Sequence, residues 1–242
     1  MKRKIVVGNW KMQGSYATNE VLLHDLLSEL QSCDLCCDVA VAPPSVYLDQ
    51  VGRVLKDSGV LLSAQDVSAY PDGAHTGECS ARMLVEMGCS MVIVGHSERR
   101  ACGESDSLVA LKAEAALDAG MTPVICVGET LEDRQQGRAR QVVEKQVGSV
   151  IKLLSQRVKQ CCFAYEPIWA IGSGQVPGVT EVSDMLQCLS GWVGGGRFLY
   201  GGSVNLHTAP SLFSIEHVDG VLVGGASLNA KAFAGIIRAT NE

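Results

Sequence analysis

The 242 residues accommodate one large domain or two small ones, at roughly 100–200 residues per domain. With 47% hydrophobic and 19% charged residues, the composition excludes a disordered chain. The formal net charge of −6 excludes a general basic surface for nucleic acid or an anionic membrane, so an anionic ligand would have to be held by local charge or by backbone N–H groups.

Along the chain, short β-branched apolar runs alternate with longer segments of helical period. The first strand is expected over Lys4 to Trp10 and the first helix over Thr18 to Leu30. Strands then follow at Asp38 to Ala42, Leu61 to Gln65, Met91 to Gly95, Pro123 to Gly128, Cys161 to Tyr165, Arg197 to Tyr200 and Gly220 to Gly224. Among the helices between them are Ser105 to Ala119, with Gly120 just past its end, and Leu131 to Leu154. The pattern amounts to about eight strand–helix units at the spacing of a βαβ step, and its strands are apolar on both faces, as parallel strands covered by helices must be. A closed eight-stranded barrel and an open doubly wound sheet both fit this alternation. The barrel is favoured, because the first strand runs into Asn9-Trp10-Lys11 where a nucleotide-binding open sheet would carry G-x-G-x-x-G. No linker or compositional shift divides the chain, so residues 1–242 are expected to form one (β/α)8 barrel domain of the α/β class.

The 10 cysteines invite a disulfide or metal framework, but several lie in apolar strands (Cys126, Cys161, Cys162). The C-x-x-C within Cys33, Cys36 and Cys37 has no second pair or nearby histidines of the kind zinc requires. Reduced, packed thiols are expected, with no metal. Met1 to Lys4 leads into an apolar run shorter than a signal peptide needs, and no run approaches the roughly 20 apolar residues of a membrane helix. A cytoplasmic protein is expected.

In such barrels the reactive groups stand where strands end and βα loops begin. Strand 1 ends in Asn9 and Lys11, strand 4 in His96-Ser97-Glu98, and strand 6 in Glu166. Strands 7 and 8 end in Gly201-Gly202-Ser203 and Gly224-Gly225. Each taken singly is as easily a structural residue or a surface ion pair; their convergence on one rim is what points to a site. The glycine-rich turns let N–H groups approach a phosphate. An ionised Glu166 only accepts hydrogen bonds, which suits a base removing a proton from carbon beside a carbonyl. His96 and Lys11 would supply a hydrogen bond and a positive charge to the carbonyl oxygen as negative charge develops. The reaction class is proton transfer between adjacent carbons of a phosphate ester through an enediolate. After the base, Pro167 to Gly174 carries Ile168, Trp169 and Ile171 ahead of glycines, as a lid that closes over the ligand and expels water would.

At these residues the chain resembles the triosephosphate isomerase family, in order and over nearly its whole length: GNWKM from Gly8, APPSVYL from Ala42, SAQD from Ser63, TGE from Thr76, VGHSERR from Val94, CVGETLE from Cys126, AYEPIWAIG from Ala164, YGGSV from Tyr200 and DGVLVGGASL from Asp219. The resemblance implies a (β/α)8 barrel, a homodimer through the loop around Thr76, and interconversion of dihydroxyacetone phosphate and glyceraldehyde 3-phosphate in glycolysis and gluconeogenesis without metal or cofactor. It also implies Glu166 as the base, His96 as a neutral electrophile, Lys11 offsetting charge, Asn9 lining the site, and the N–H groups of Gly172, Ser203, Gly224 and Gly225 holding the phosphate. Glu98 and Cys126 occupy supporting positions.

Several positions depart from the family pattern. His75 stands where a bulky aromatic is usual, and charging it in acid is expected to weaken the dimer. The stretches Ala101 to Glu104 and Cys188 to Arg197 are shorter, Gln13 replaces an asparagine, and Gln175-Val176-Pro177 replaces a more polar hinge. Two other readings stay open. A Schiff-base aldolase or metal-dependent epimerase is disfavoured because Lys11 is on strand 1 and His24, His75, His96, His207 and His217 form no evident metal cluster. A catalytically silent barrel is disfavoured by the intact Lys11, His96 and Glu166.

Overall fold

The structure, a computed structural model, describes residues 2–31, 36–171 and 177–241. Eight strands, β1 (Ile5–Asn9), β2 (Asp38–Ala42), β3 (Leu61–Ala64), β4 (Cys89–Val94), β5 (Thr122–Val127), β6 (Cys162–Tyr165), β7 (Arg197–Tyr200) and β8 (Gly220–Val223), follow one another around a closed barrel. Every neighbour is parallel, and β1 pairs with β8 from Ile5 opposite Gly220 to Gly8 opposite Val223. That seam decides for the barrel over the open sheet.

Alternation along each strand explains why the strands are apolar on both faces. Ile5, Val7, Ala40, Ala42, Met91, Ile93, Val124, Cys126, Cys162, Ala164, Leu199 and Leu222 fill the barrel interior. Their neighbours, such as Val6, Val39, Val41, Val92, Val94 and Ile125, pack outward against the helices. A strand with period 2 and no solvent face buries both sets.

The helical layer comprises α1 (Tyr16–Gln31), α2 (Leu48–Leu55), α3 (Ala81–Glu86), α4 (Ser97–Ala101), α5 (Asp106–Asp118), α6 (Leu131–Gln135), α7 (Ala139–Leu154), α8 (Val179–Val193), α9 (Ala209–Phe213) and α10 (Ala230–Arg238). Ser105 caps α5 by accepting from the Leu108 N–H at 3.2 Å, as the sequence leads one to expect. The single helix expected over Leu131 to Leu154 is instead two. Thr130 caps α6 through the Asp133 N–H at 3.1 Å, and Gly137, at φ +69°, turns the chain before α7 begins. α6 buries no side chain, so hydrophobic periodicity does not reveal the break.

Of the described cysteines, which are all free, Cys37, Cys89, Cys126, Cys161 and Cys162 are buried, Cys188 is half-buried, and Cys36, Cys79 and Cys102 are exposed. Burial pushes the thiols of Cys89 and Cys161 up to about 12. Packing therefore accounts for the strand cysteines but not for the three exposed ones. Cys33 lies outside the described residues.

The shortened stretch before β7 is a direct connection. Gly194 ends α8 in a left-handed conformation at φ +68° with its N–H on the Ser190 carbonyl, and two further glycines lead into Arg197.

Candidate active site

The ends of β1, β4 and β6 open onto one rim, as parallel barrel topology requires. Asn9 closes β1, and its buried side chain accepts from the Lys11 N–H at 3.0 Å. Lys11 adopts φ +54°, a conformation that costs about 1–2 kcal/mol for a residue with a β-carbon. The Gln65 side-chain amide holds this turn, donating at 2.9 Å to the carbonyls of both Lys11 and Ala42. The strained residue is therefore pinned from a third strand end. The lysine Nζ lies 2.7 Å from Glu98 Oε1, and its chain passes Gly224, where an added Cβ would lie 3.5 Å from Lys11 Cε.

His96 precedes α4 and is its cap residue: its Nδ1 accepts from the Glu98 N–H at 3.3 Å. A Glu98 carboxylate oxygen is also 3.5 Å from Nδ1, which would favour a proton there. The backbone N–H is a fixed donor, however, and the carboxylate is already engaged by Lys11. We therefore assign Nδ1 as the acceptor and place the ring proton on Nε2. That nitrogen lies 3.3 Å from Glu166 Oε1. Both side chains are almost fully buried, at 6% exposed for His96 and 2% for Glu166, so their contact is poorly screened by water.

Glu166 is held on several sides. Its N–H donates to the Val127 carbonyl at 2.7 Å, and Oε2 accepts from the Ser97 N–H at 3.3 Å. A Cβ on Gly128 would lie 1.8 Å from the Glu166 carbonyl oxygen, and one on Gly201 would lie 2.7 Å from its Cγ. Two glycines thus vacate the space in which the glutamate sits. Burial, then the charge and hydrogen bond of Glu166, push the Cys126 thiol well above its ordinary value. It stays a protonated donor beneath the carboxylate, in a supporting place.

The structure brings Lys11, Glu98, His96 and Glu166 into one continuous chain of contacts. Asn9, Lys11, His96 and Glu98 also line a cavity of about 480 Å³ that continues to Gly77 and Cys102. Ser203 donates its hydroxyl at 2.5 Å to the carbonyl of Ala170, joining the turn after β7 to the segment after the base, and Gly225 opens the turn after β8. Gly172, with residues 173–176 of the expected lid and hinge, lies outside the described residues. The described part of that segment is fastened at Trp169: its indole N–H donates at 2.9 Å to Glu129 Oε1, which also accepts from the Tyr165 hydroxyl at 3.1 Å, while Arg134 lies over the ring at 4.8 Å. Gln65 and Gly128 are not among the strand-end groups that the sequence points to, although both lie within motifs of the resemblance; Ser97 and Gly201 are named there only as members of strand-end runs.

The comparisons with known proteins bear on this arrangement. A family profile described as Triosephosphate isomerase matches residues 4–240. The chain belongs to the triosephosphate isomerase family. Among curated relatives, the triosephosphate isomerase of Herminiimonas arsenicoxydans is 45% identical over 249 aligned residues, covering 99% of this chain and 100% of the relative. That of Delftia acidovorans is 44% identical, covering 99% of each, and that of Dechloromonas aromatica 43% identical, covering the whole of both. Triosephosphate isomerases are aldose–ketose isomerases, and a base, a neutral donor and a cation at the strand ends are the parts such an isomerisation requires.

Proposed function

We propose that this chain interconverts dihydroxyacetone phosphate and D-glyceraldehyde 3-phosphate by proton transfer through an enediolate, serving glycolysis and gluconeogenesis. The observation that carries the reading is the 3.3 Å contact between His96 Nε2 and Glu166 Oε1, two almost fully buried side chains. Glu166 removes the proton from the carbon beside the carbonyl and returns it to the adjacent carbon. The Nε2–H of His96 donates to the oxygen on which charge builds, and Lys11 lends its positive charge to the same region. Asn9 fixes the Lys11 turn and lines the site, and the N–H groups of Gly172, Ser203, Gly224 and Gly225 are assigned to the phosphate. The segment from Pro167 is assigned to covering the bound ligand, which protects a phosphate-bearing enediolate from losing its phosphate to water.

No cofactor or metal enters this scheme, and among the described residues no group of three or more His, Cys, Asp and Glu side chains is arranged to hold an ion. A homodimer through the loop around Thr76 is part of the reading. Residues 71–79 are exposed without interruption, Met12 is 95% exposed, and the cavity beside Lys11 is lined by Met12 and by Gly77, Glu78 and Cys79, which supports it as the recess that a second copy's loop enters. Among the described residues no helix is long and apolar enough to cross a membrane, and we assign the protein to the cytoplasm, where its free cysteines stay reduced.

The test is a coupled assay with glyceraldehyde 3-phosphate in excess chelator, on the protein and on Glu166→Gln. Activity is expected to persist in chelator, and Glu166→Gln is expected to lower kcat by roughly 10²–10⁴-fold while retaining phosphate affinity. Loss of activity on chelation, or near-normal turnover by Glu166→Gln, would remove the assignment.

A further inference from the structure

We propose that Arg100 is a positioning residue for this reaction: its guanidinium ties the strand end that carries the electrophile to the neighbouring strand end against which the base is held. The inference rests on the isomerase reading above. Arg100 Nε donates at 2.8 Å to the carbonyl of Gly95, the residue before His96. Its Nη2 donates at 3.1 Å to the carbonyl of Cys126 on β5, and its Nη1 at 2.7 Å to Asp106 Oδ1 at the start of α5. Cys126 is followed by Val127, whose carbonyl receives the Glu166 N–H at 2.7 Å, and then by Gly128, which lies against the Glu166 carbonyl. One planar group therefore fixes the end of β4 against the end of β5 on which the base leans.

The seat is shaped for that group. Gly95 has φ +67°, and a Cβ there would lie 2.7 Å from Val109 and 3.0 Å from Arg100 Nη2. The Arg100 side chain is only 13% exposed, and with Gly95, Ser97, Cys126 and Glu166 it borders a void with no room for a water molecule. No water shares that void with the guanidinium. Three acceptors at the corners of one plane match the fixed fork of a guanidinium, and an ammonium on a flexible chain cannot span them. The spacing between His96 and Glu166 depends on how β4 is offset from β5. A loosened clamp would thus act on the chemical step and leave the phosphate-binding turns after β7 and β8 intact.

The experiment measures kcat, KM, competitive inhibition by inorganic phosphate, and thermal unfolding for the wild type, Arg100→Met, Arg100→Lys and Asp106→Asn. Since small misplacements of reacting groups are costly, Arg100→Met is expected to lose about 10–100-fold in kcat, with KM and the phosphate inhibition constant within about threefold. Asp106→Asn, which leaves the guanidinium on both carbonyls and offers Nη1 a neutral acceptor in place of the charged one, is expected to lose about 3–10-fold. Arg100→Lys, which keeps the charge without the fork, is expected to fold and to remain at least about fivefold below wild type in kcat. If Arg100→Met fails to fold, the lysine and asparagine variants decide. A folded Arg100→Lys with wild-type kcat would reduce Arg100 to a structural cation and overturn the proposal. So would losses in kcat matched by equal losses in phosphate affinity. A wild type that binds phosphate without isomerising removes the underlying reading instead, whereas active wild type with unimpaired variants removes only the clamp.

Discussion

Replacing Gly128 by alanine displaces Glu166, the proposed base, without changing its carboxylate. The new Cβ would lie 1.8 Å from the Glu166 carbonyl oxygen and 2.6 Å from its carbonyl carbon, about 1.5 Å inside ordinary van der Waals contact. Both partners are backbone, so no side-chain rotation relieves the overlap. The Glu166 main chain must retreat by about 1 Å or more, straining the 2.7 Å bond from its N–H to Val127 and carrying the carboxylate away from His96. Overpacking of this kind costs about 1–3 kcal/mol in stability, and a misplacement of about 1 Å costs on the order of 10²-fold in rate. The coupled assay is therefore expected to show kcat reduced about 100-fold, the larger part of the loss falling on kcat and not on KM because the perturbed group is the proposed base. Gly148 on α7, where a Cβ meets nothing within 4 Å, is the control, and Gly148→Ala is expected to keep wild-type kcat. A folded Gly128→Ala variant within about threefold of wild-type kcat would refute the positioning of the base described here.

Two further outcomes are expected around the exposed loop. The Asp72 carboxylate accepts from the hydroxyl of Ser80 and from Arg82, which hold it below its ordinary value. Its contribution is thus present above its unfolded range near pH 4 and lost as pH falls through the lower folded value. Asp72→Asn should lower the melting temperature at about pH 6 and cease to matter in strong acid; a difference that grows toward low pH would reverse the sign of this reasoning. At the tip of the same loop, His75 stacks on Tyr70 with centroids 4.4 Å apart and planes 7° from parallel. Sedimentation is expected to show the proposed homodimer weakening in acid and His75→Phe losing that response; a dimer fraction in the parent protein unchanged by acid, or a response kept by His75→Phe, would refute the role given to His75.

Much of this was legible in the sequence because the signals are local. Ile5 to Asn9 and Gly220 to Val223 declare themselves as strands by β-branched runs without a polar face, and Asn9, Lys11, His96 and Glu166 are visible because each stands at a strand end, where a parallel barrel gathers reactive groups. What was not legible depends on distant parts of the chain meeting. Gly128 matters only because Glu166 lies against it, Gln65 only because it reaches back to the carbonyl of Lys11, and Arg100 only because Gly95 and Cys126 present their carbonyls side by side. The break at Gly137 was hidden because α6 is a short polar turn of helix that buries no side chain and so leaves no period of its own. The exposed Cys79 and Cys102 were hidden because cysteine composition alone favours burial.

The central claim, that Glu166 carries a proton between adjacent carbons, is tested most directly by following dihydroxyacetone phosphate with the purified protein in deuterium oxide by proton NMR. Exchange of the base's proton with solvent predicts glyceraldehyde 3-phosphate carrying deuterium at the carbon beside its carbonyl, and a Glu166→Gln variant that forms it at least about 100-fold more slowly. Product formed equally fast by the Glu166→Gln variant would contradict it.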